Sequence, residues 1–230
     1  MYKNKRVLAF IPARGGSKGI PHKNIIDLNG YPLISYSITE ALKSKYIDKV
    51  LVSTDDEKIA SVAKEYGADV PFLRPERLAS DKAKTIDAVL HAIDFMNQNG
   101  DKFDTFVLLQ PTQPLRTMED IEGAIEKYMD NNCIPLVSVS LVDDHPLLIR
   151  TIKEGRLESL LNQSSTCRRQ DMPQYYKVNG CIYINEIDQI DENTSFNDNK
   201  LPYIMPKERS VDIDDYSDLK MAEYYLNIHG

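Results

Sequence analysis

The chain has 230 residues, 42% apolar and 27% charged, enough for one α/β domain with a substantial core and at most a small appendage. Its net charge of −7 argues against a general nucleic-acid binder. Cys133, Cys167 and Cys181 lack the spacing of a disulfide framework or a zinc site, and no apolar run approaches bilayer-spanning length, so a reducing cytoplasm is expected, with no membrane partner and no targeting segment.

Val7–Ile11 reads as a buried first strand. It opens into Ile11-Pro-Ala-Arg-Gly-Gly-Ser-Lys-Gly-Ile-Pro-His-Lys-Asn24, which puts bare backbone N–H groups and the cations Arg14, Lys18 and Lys23 at one edge of a sheet. Glycines let a backbone approach closely and form an anion-binding nest, so the loop suits a polyphosphate. It matches neither the Walker A pattern nor the dinucleotide fingerprint; the plain alternative is a mobile basic surface loop. Against an acidic background, a basic loop favours a small anionic ligand. A helix over Pro32–Lys43, a strand over Lys49–Ser53 and a helix over Glu57–Tyr66 follow. Ile86, Val89, Leu90, Ile93 and Met96 then fall on one apolar helical stripe. After a strand over Thr105–Gln110, Thr117 with Asp120 resembles a capping box that opens a helix with Ile121, Ala124, Ile125 and Tyr128 facing the core. The next strand is Leu136–Val142. Strands alternating with amphipathic helices imply a mainly parallel sheet covered by helices.

From Asp143 to Lys207 the segments shorten. Leu147–Ile152 and Arg156–Leu161 are expected to pair as a hairpin across Lys153-Glu-Gly155, and Val178–Asn185 is a further strand. The expected organisation is a single domain over 1–230, with 143–207 as an excursion from the sheet. The chain closes on Asp212-Ile-Asp-Asp215 and a helix from Tyr216 to Asn227.

Several segments stand in order along the chain: Ala13-Arg-Gly-Gly-Ser-Lys-Gly19 with Lys23-Asn24, Ser53-Thr-Asp55, and Leu73-Arg-Pro-Glu-Arg-Leu-Ala-Ser-Asp81. Leu109-Gln-Pro-Thr-Gln-Pro-Leu-Arg116, Arg169-Gln-Asp-Met-Pro-Gln174, Asn179-Gly-Cys-Ile-Tyr183 and Asp212-Ile-Asp214 continue the series. In these the chain resembles, colinearly and over nearly its full length, the acylneuraminate (CMP-sialic acid) cytidylyltransferase family. The resemblance implies a Rossmann-like nucleotidyltransferase fold of the GT-A type, with 143–207 as a small dimerisation and acceptor-site excursion. It implies CTP and a nonulosonic (sialic-type) acid as substrates, a CMP-sugar and pyrophosphate as products, and a homodimer. Arg169 or Lys177 of one subunit is then expected to complete the site of the other.

The resemblance also implies residue roles. Arg14, Ser17 and Lys23 hold the triphosphate, Ala13 belongs to the same loop, and Asn24 assists near the ribose or phosphates; Lys18 is either a phosphate contact or a solvated cation. Arg74 fits a position near the cytosine, or is an ordinary surface arginine. Thr85 contacts the nucleotide, caps the Ile86 helix, or does both, because anions gather at helix starts. Gln110 lies past the carboxyl end of a strand, where open α/β sheets place ligands, and its amide can orient the sugar; otherwise it is a packed loop residue. Arg116 is at most a loop anchor. Arg169, with Arg168 beside it, suits a bidentate grip on the sugar carboxylate, and Tyr183 faces the sugar or fills the core. His145 packs at a turn.

Asp212 and Asp214 would project on the same side of an extended segment. Paired carboxylates suit Mg²⁺ or Mn²⁺ together with phosphate oxygens, while the alternative is capping of the Tyr216 helix. The resemblance favours the metal and leaves capping to Asp215 or Ser217. Arg14, Lys23, Gln110, Asp212 and Asp214 are the expected catalytic set, with attack of the anomeric hydroxyl on the α-phosphorus and no covalent intermediate. Two acceptor-side positions depart from the best-known sialic-acid enzymes: Lys177 stands where they carry an arginine, and Leu148 where a lysine is common. A lysine loses the planar fork, so the nucleotide is better defined than the sugar. The nearest rival, activation of 3-deoxy-manno-octulosonate, belongs to relatives with an acidic residue where this chain has Thr112. The other rival is a nucleotide-sugar-binding module without catalysis.

Overall fold

The computed structural model describes residues 2–17, 19–161 and 172–229; the expectations for Lys18, Arg168 and Arg169 fall outside them. In chain order the elements are β1 (Val7–Pro12), β2 (Asp27–Leu28), β3 (Tyr31–Pro32), α1 (Leu33–Lys43), β4 (Lys49–Ser53), α2 (Glu57–Glu65), α3 (Thr85–Gln98) and β5 (Thr105–Leu108). They continue with α4 (Met118–Asp130), β6 (Leu136–Leu141), β7 (Arg150–Lys153), β8 (Arg156–Ser159), β9 (Tyr176–Glu186), β10 (Leu201–Ile204) and α5 (Tyr216–His229). Local chemistry sets the helix starts. Asp56 accepts from the N–H groups of Lys58 and Ile59 at 2.7 and 3.2 Å to begin α2. At α4, Thr117 and Asp120 exchange side-chain-to-backbone bonds at 3.1 and 3.3 Å.

Six strands form one sheet in the order β10-β6-β9-β5-β1-β4. The β1–β4, β1–β5 and β6–β10 pairs are parallel, and β9 runs antiparallel between β5 and β6. Successive side chains of β1 point to opposite faces. Val7, Ala9 and Ile11 pack with α1, α2 and α4, while Leu8 and Phe10 pack with α3. A third apolar cluster joins Ile20, Leu33, Ile213 and Leu219. It seats α5 and the acidic segment before it directly against the loop after β1.

The run 143–207 does not leave the sheet as a whole. β9 is an interior strand, with residues 179–185 buried, and β10 forms the edge next to β6. β9 starts at Tyr176-Lys177, two residues before the expected Val178, and Asn179-Gly180 breaks its apolar run; β10 is short and holds Pro202, which an edge strand tolerates. What stands off the sheet is the β7–β8 hairpin, in the expected place. Among the described residues no helix is long and apolar enough to cross a membrane.

Candidate active site

The loop after β1 bends over the carboxyl ends of the central strands and bounds a cavity of about 590 Å³. Of the residues assigned to the nucleotide, Arg14, Ser17, Lys23, Asn24, Arg74, Thr85 and Gln110 line it, with Asp214 at one side. Ala13 does not. It is fully buried beneath the loop and donates its N–H to Ser53 O at 2.9 Å, so it anchors the loop's start.

Side-chain bonds shape the loop. Gly15 N–H donates to Asp55 Oδ1 at 2.9 Å, and buried Asn24 donates its Nδ2 to Arg14 O at 2.8 Å. Arg14 pairs with Asp81 at 2.9 Å and donates to Ser80 O at 3.3 Å. Arg74 is buried rather than a surface arginine. It donates Nε to Ser53 Oγ at 3.0 Å and a terminal nitrogen to Ser53 O. Burial pulls its pKa down to about 10, and Arg14 adds repulsion, so it remains a cation at neutral pH. Thr85 is the first residue of α3, whose cap position is Lys84; the helix start therefore opens into the cavity one residue earlier than the sequence suggests.

The loop and the acidic segment meet. Lys23 Nζ donates to Ile213 O at 2.7 Å and to Asp214 Oδ1 at 2.9 Å. A Cβ on Gly19 would stand 2.1 Å from Asp214 O, a backbone contact that only glycine permits. Ile213 is fully buried and donates its N–H to Thr112 O at 2.9 Å, which leaves Asp212 and Asp214 on the other side of the extended segment. Neither caps α5. Asp215 Oδ1 accepts from Ser217 and Asp218 N–H at 2.8 and 3.1 Å, and Asp218 accepts from Asp214 and Asp215 N–H at 2.9 and 3.0 Å.

Asp212 faces a second cavity with Gln110, Lys177 and Tyr183. Its carboxyl is pushed above the usual range, first by burial and then by the charge of Asp214, against a lowering bond from Thr112. Asp214 at the first cavity and Asp212 at the second, each repelled by the other's charge, fit a hard divalent cation completed by phosphate oxygens. Among the described residues no cluster of three His, Cys, Asp or Glu could hold a metal unaided. Gln110 borders both cavities. Tyr183 is buried and donates to Asn197 Oδ1 at 2.9 Å; burial lifts its pKa to about 12, so it is a neutral donor. Lys177 is exposed on β9. His145 is buried and packs edge-on against Tyr175 at 4.8 Å.

Arg116 carries more than the sequence suggested. It is 2% exposed and donates to Cys181 O and Ser37 Oγ, each at 2.7 Å, directly below the turn that presents Gln110. Thr112 and Ser80, which the sequence reading gave no site role, also line the first cavity. Each stands inside a segment singled out above, the only signal that could have found it.

Residues 8–227 match the protein family described as cytidylyltransferase. The chain is 38% identical to a CMP-N,N'-diacetyllegionaminic acid synthase of Legionella pneumophila, covering 97% of each. It is 33% identical to a pseudaminic acid cytidylyltransferase of Campylobacter jejuni, covering 96% of this chain and 97% of the relative. With an N-acylneuraminate cytidylyltransferase of Escherichia coli it shares 35% identity over 98% of its length, but spans only 56% of that protein. Among solved structures, a CMP:2-keto-3-deoxy-manno-octonic acid synthetase complexed with CTP superposes with a TM-score of 0.73 at 17% identity, covering 98% of this chain and 100% of that one. A 4-diphosphocytidyl-2C-methyl-D-erythritol synthase gives 0.71 at 11% identity, covering 97% and 99%; at such identities the likeness shows a shared fold. The family match over nearly the whole chain, joined to these relatives, establishes that the chain belongs to the cytidylyltransferase family.

Proposed function

We propose that this chain transfers the cytidylyl group of CTP to a nonulosonic acid, forming the CMP-sugar and releasing pyrophosphate. The observation that carries the reading is the meeting of the cationic loop with the acidic segment through Lys23 and Asp214, 2.9 Å apart, at a cavity that shares Gln110 with a second one. In this mechanism Arg14, Ser17 and the loop N–H groups bind the triphosphate, and buried Arg74 stands with its edge toward the base. Lys23 exchanges Asp214 for a phosphate. Asp214 is 79% exposed, and such exposed pairs are worth about 0–1 kcal/mol, so the exchange costs little.

Gln110 orients the anomeric hydroxyl, whose oxygen bonds to the α-phosphorus and gives its proton to solvent as the bond to the β-phosphate oxygen breaks and pyrophosphate leaves toward the loop. Asp212 and Asp214 would hold Mg²⁺ or Mn²⁺, which neutralises triphosphate charge and lowers the proton affinity of the attacking hydroxyl. Lys177 and Tyr183 form the acceptor side; Arg169, expected to join them, lies outside the described residues. Against octulosonate, Thr112 offers a hydroxyl, not a carboxylate. Against an inert binding module, the whole expected catalytic set is present in the sequence and converges on adjoining cavities.

The test is a panel of nonulosonic acids, with 3-deoxy-manno-octulosonate beside them, incubated with CTP and Mg²⁺ and followed by pyrophosphate release. Turnover is expected with at least one nine-carbon acid and none with the octulosonate. Pyrophosphate only from the octulosonate, or from no acid at all, would overturn the reading.

The same reading includes a homodimer. Ile152 and Leu157 stand opposite each other on β7 and β8 and are 74% and 71% exposed. A lone two-stranded hairpin is marginal in water, and a second copy of this chain would cover it. An Ile152→Glu/Leu157→Glu variant is expected to run at monomer mass in light scattering, with weaker acceptor binding and intact CTP binding; unchanged mass would refute the hairpin as the interface. The free thiols of Cys133 and Cys181 support the cytoplasm as the compartment.

A further inference from the structure

Asn179-Gly180 has no part in the mechanism above, yet it occupies the point where β9 leaves regular pairing. Val137 pairs with Tyr183, but Val139 pairs with Val178, so several residues of β9 stand opposite Ser138 alone. Asn179 fills that bulge. It is 5% exposed, and its Oδ1 accepts from Ser138 Oγ at 2.6 Å and from Cys181 N–H at 3.2 Å. Ser138 Oγ in turn accepts from Ile182 N–H at 2.7 Å. The carboxamide nitrogen has a single destination: Nδ2 donates to Ser210 Oγ at 2.9 Å, while the Ser210 hydroxyl donates to Pro206 O at 2.7 Å. Both hydroxyl protons and one carboxamide proton have an acceptor, which fixes the amide orientation and both hydroxyl rotors.

The bulge touches both halves of the active site. Gly180 has φ +77°, and a Cβ there would stand 3.0 Å from Gln110 Oε1 and 3.2 Å from Gln113 Nε2. Gln110 thus lies directly on the bulge. On its other side, Ser210 begins the short stretch that carries Asp212. That stretch is held at both ends: Ser210 by Asn179, and Ile213 N–H by Thr112 O at 2.9 Å. Arg209, just before it, is bidentate to buried Asp120 at 2.8 Å for each bond, so the approach is rigid as well. Asp212 thus lies between two anchored residues, Ser210 and Ile213.

We propose that Asn179 is a positioning residue: its carboxamide, bonded to Ser210, ties the segment bearing Asp212 to the same β9 bulge that seats Gln110, and so fixes the distance between the two. The proposal rests on the cytidylyltransferase reading for what that distance serves. Partners that orient a metal-holding carboxylate matter to affinity and rate although they touch neither metal nor substrate.

The test breaks the link from its far side. Ser210→Ala removes the acceptor of Asn179 Nδ2 while leaving the bonds of the bulge to Ser138 and Cys181 in place; Ser210→Thr keeps the hydroxyl. Three quantities are read on the full-length protein: kcat, Mn²⁺ binding by electron paramagnetic resonance with CTP and no acceptor sugar, and the CTP dissociation constant without metal. Ser210→Ala is expected to lower kcat about tenfold and to weaken Mn²⁺ binding by a similar factor, with metal-free CTP binding unchanged and both losses restored in Ser210→Thr. Asn179→Asp, which keeps the shape but lacks the N–H donor, is expected to follow Ser210→Ala. Wild-type kcat and Mn²⁺ affinity in Ser210→Ala would overturn the proposal. So would an equal loss of metal-free CTP binding, or a threonine variant no better than alanine. If no acceptor is turned over, the functional reading fails, and the two binding measurements still decide the positioning role.

Discussion

Asp212→Asn is expected to cut turnover by about a hundredfold or more, because the charge stabilisation supplied through a catalytic cation is several kcal/mol and each 1.36 kcal/mol is tenfold in rate. CTP binding should change far less, since Arg14, Lys23 and the loop N–H groups are untouched. Asp214→Asn should behave similarly in turnover, while also removing the charge that faces Lys23 at 2.9 Å. Pyrophosphate release gives the first quantity and calorimetric CTP titration the second. Equal wild-type turnover in both variants would remove the carboxylates from the chemistry. The same Asp212 substitution should stabilise the metal-free protein at neutral pH. The folded-state pKa of Asp212 is raised by burial and by Asp214, so its favourable contribution is complete only below the unfolded value and is lost as pH rises through the folded one. Above that window the charged carboxylate is a burden that asparagine lacks. A melting temperature higher than wild type at pH 7, with the gap closing in acid, is the expected signature of a site that sacrifices stability for function.

Arg116→Met is the second large effect. Arg116 is fully enclosed, and burial draws its pKa to about 10, so it is a buried cation at neutral pH. Its stabilising partners are Cys181 O and Ser37 Oγ, each at 2.7 Å. Removing the guanidinium strands buried Cys181 O, at about 1–3 kcal/mol, and takes a bond from Ser37 Oγ, which keeps only its 3.4 Å donation to Gln110 O. A loss of about 3 kcal/mol would lower the melting temperature by about 6–12 °C in a chain of this size. Arg116→Lys should not rescue, because a single ammonium cannot span the two acceptors as the planar fork does. Calorimetry of the three proteins decides it; a methionine variant melting with wild type would show that the guanidinium is not what holds the Gln110 turn.

The sequence made the helical layer and most of the sheet legible because periodicity and capping act locally. The Ile86 stripe became the buried face of α3, and the Thr117–Asp120 pair opens α4 as read. The strand expected over Val178–Asn185 lies within β9, but its antiparallel place inside the sheet and the β10 edge were not legible. Both strands are held by partners distant in sequence, and the Asn179 bulge interrupts the pattern that would announce an interior strand. The site was legible in its charges, since a glycine-rich cationic loop and an acidic pair announce themselves. Its supports were not. Arg116 looks like any loop arginine until the fold buries it, Asn24 spends its amide on Arg14 O, and nothing local distinguishes Asp212 and Asp214 from the caps that Asp215 and Asp218 turn out to be.

The bonds from Lys23 to Ile213 and Asp214 join residues 190 and 191 positions apart. A chain growing from its amino end can therefore build most of its sheet long before the loop meets the acidic segment. During synthesis the acidic residues reach the loop last, when α5 docks and brings Asp214 against Gly19.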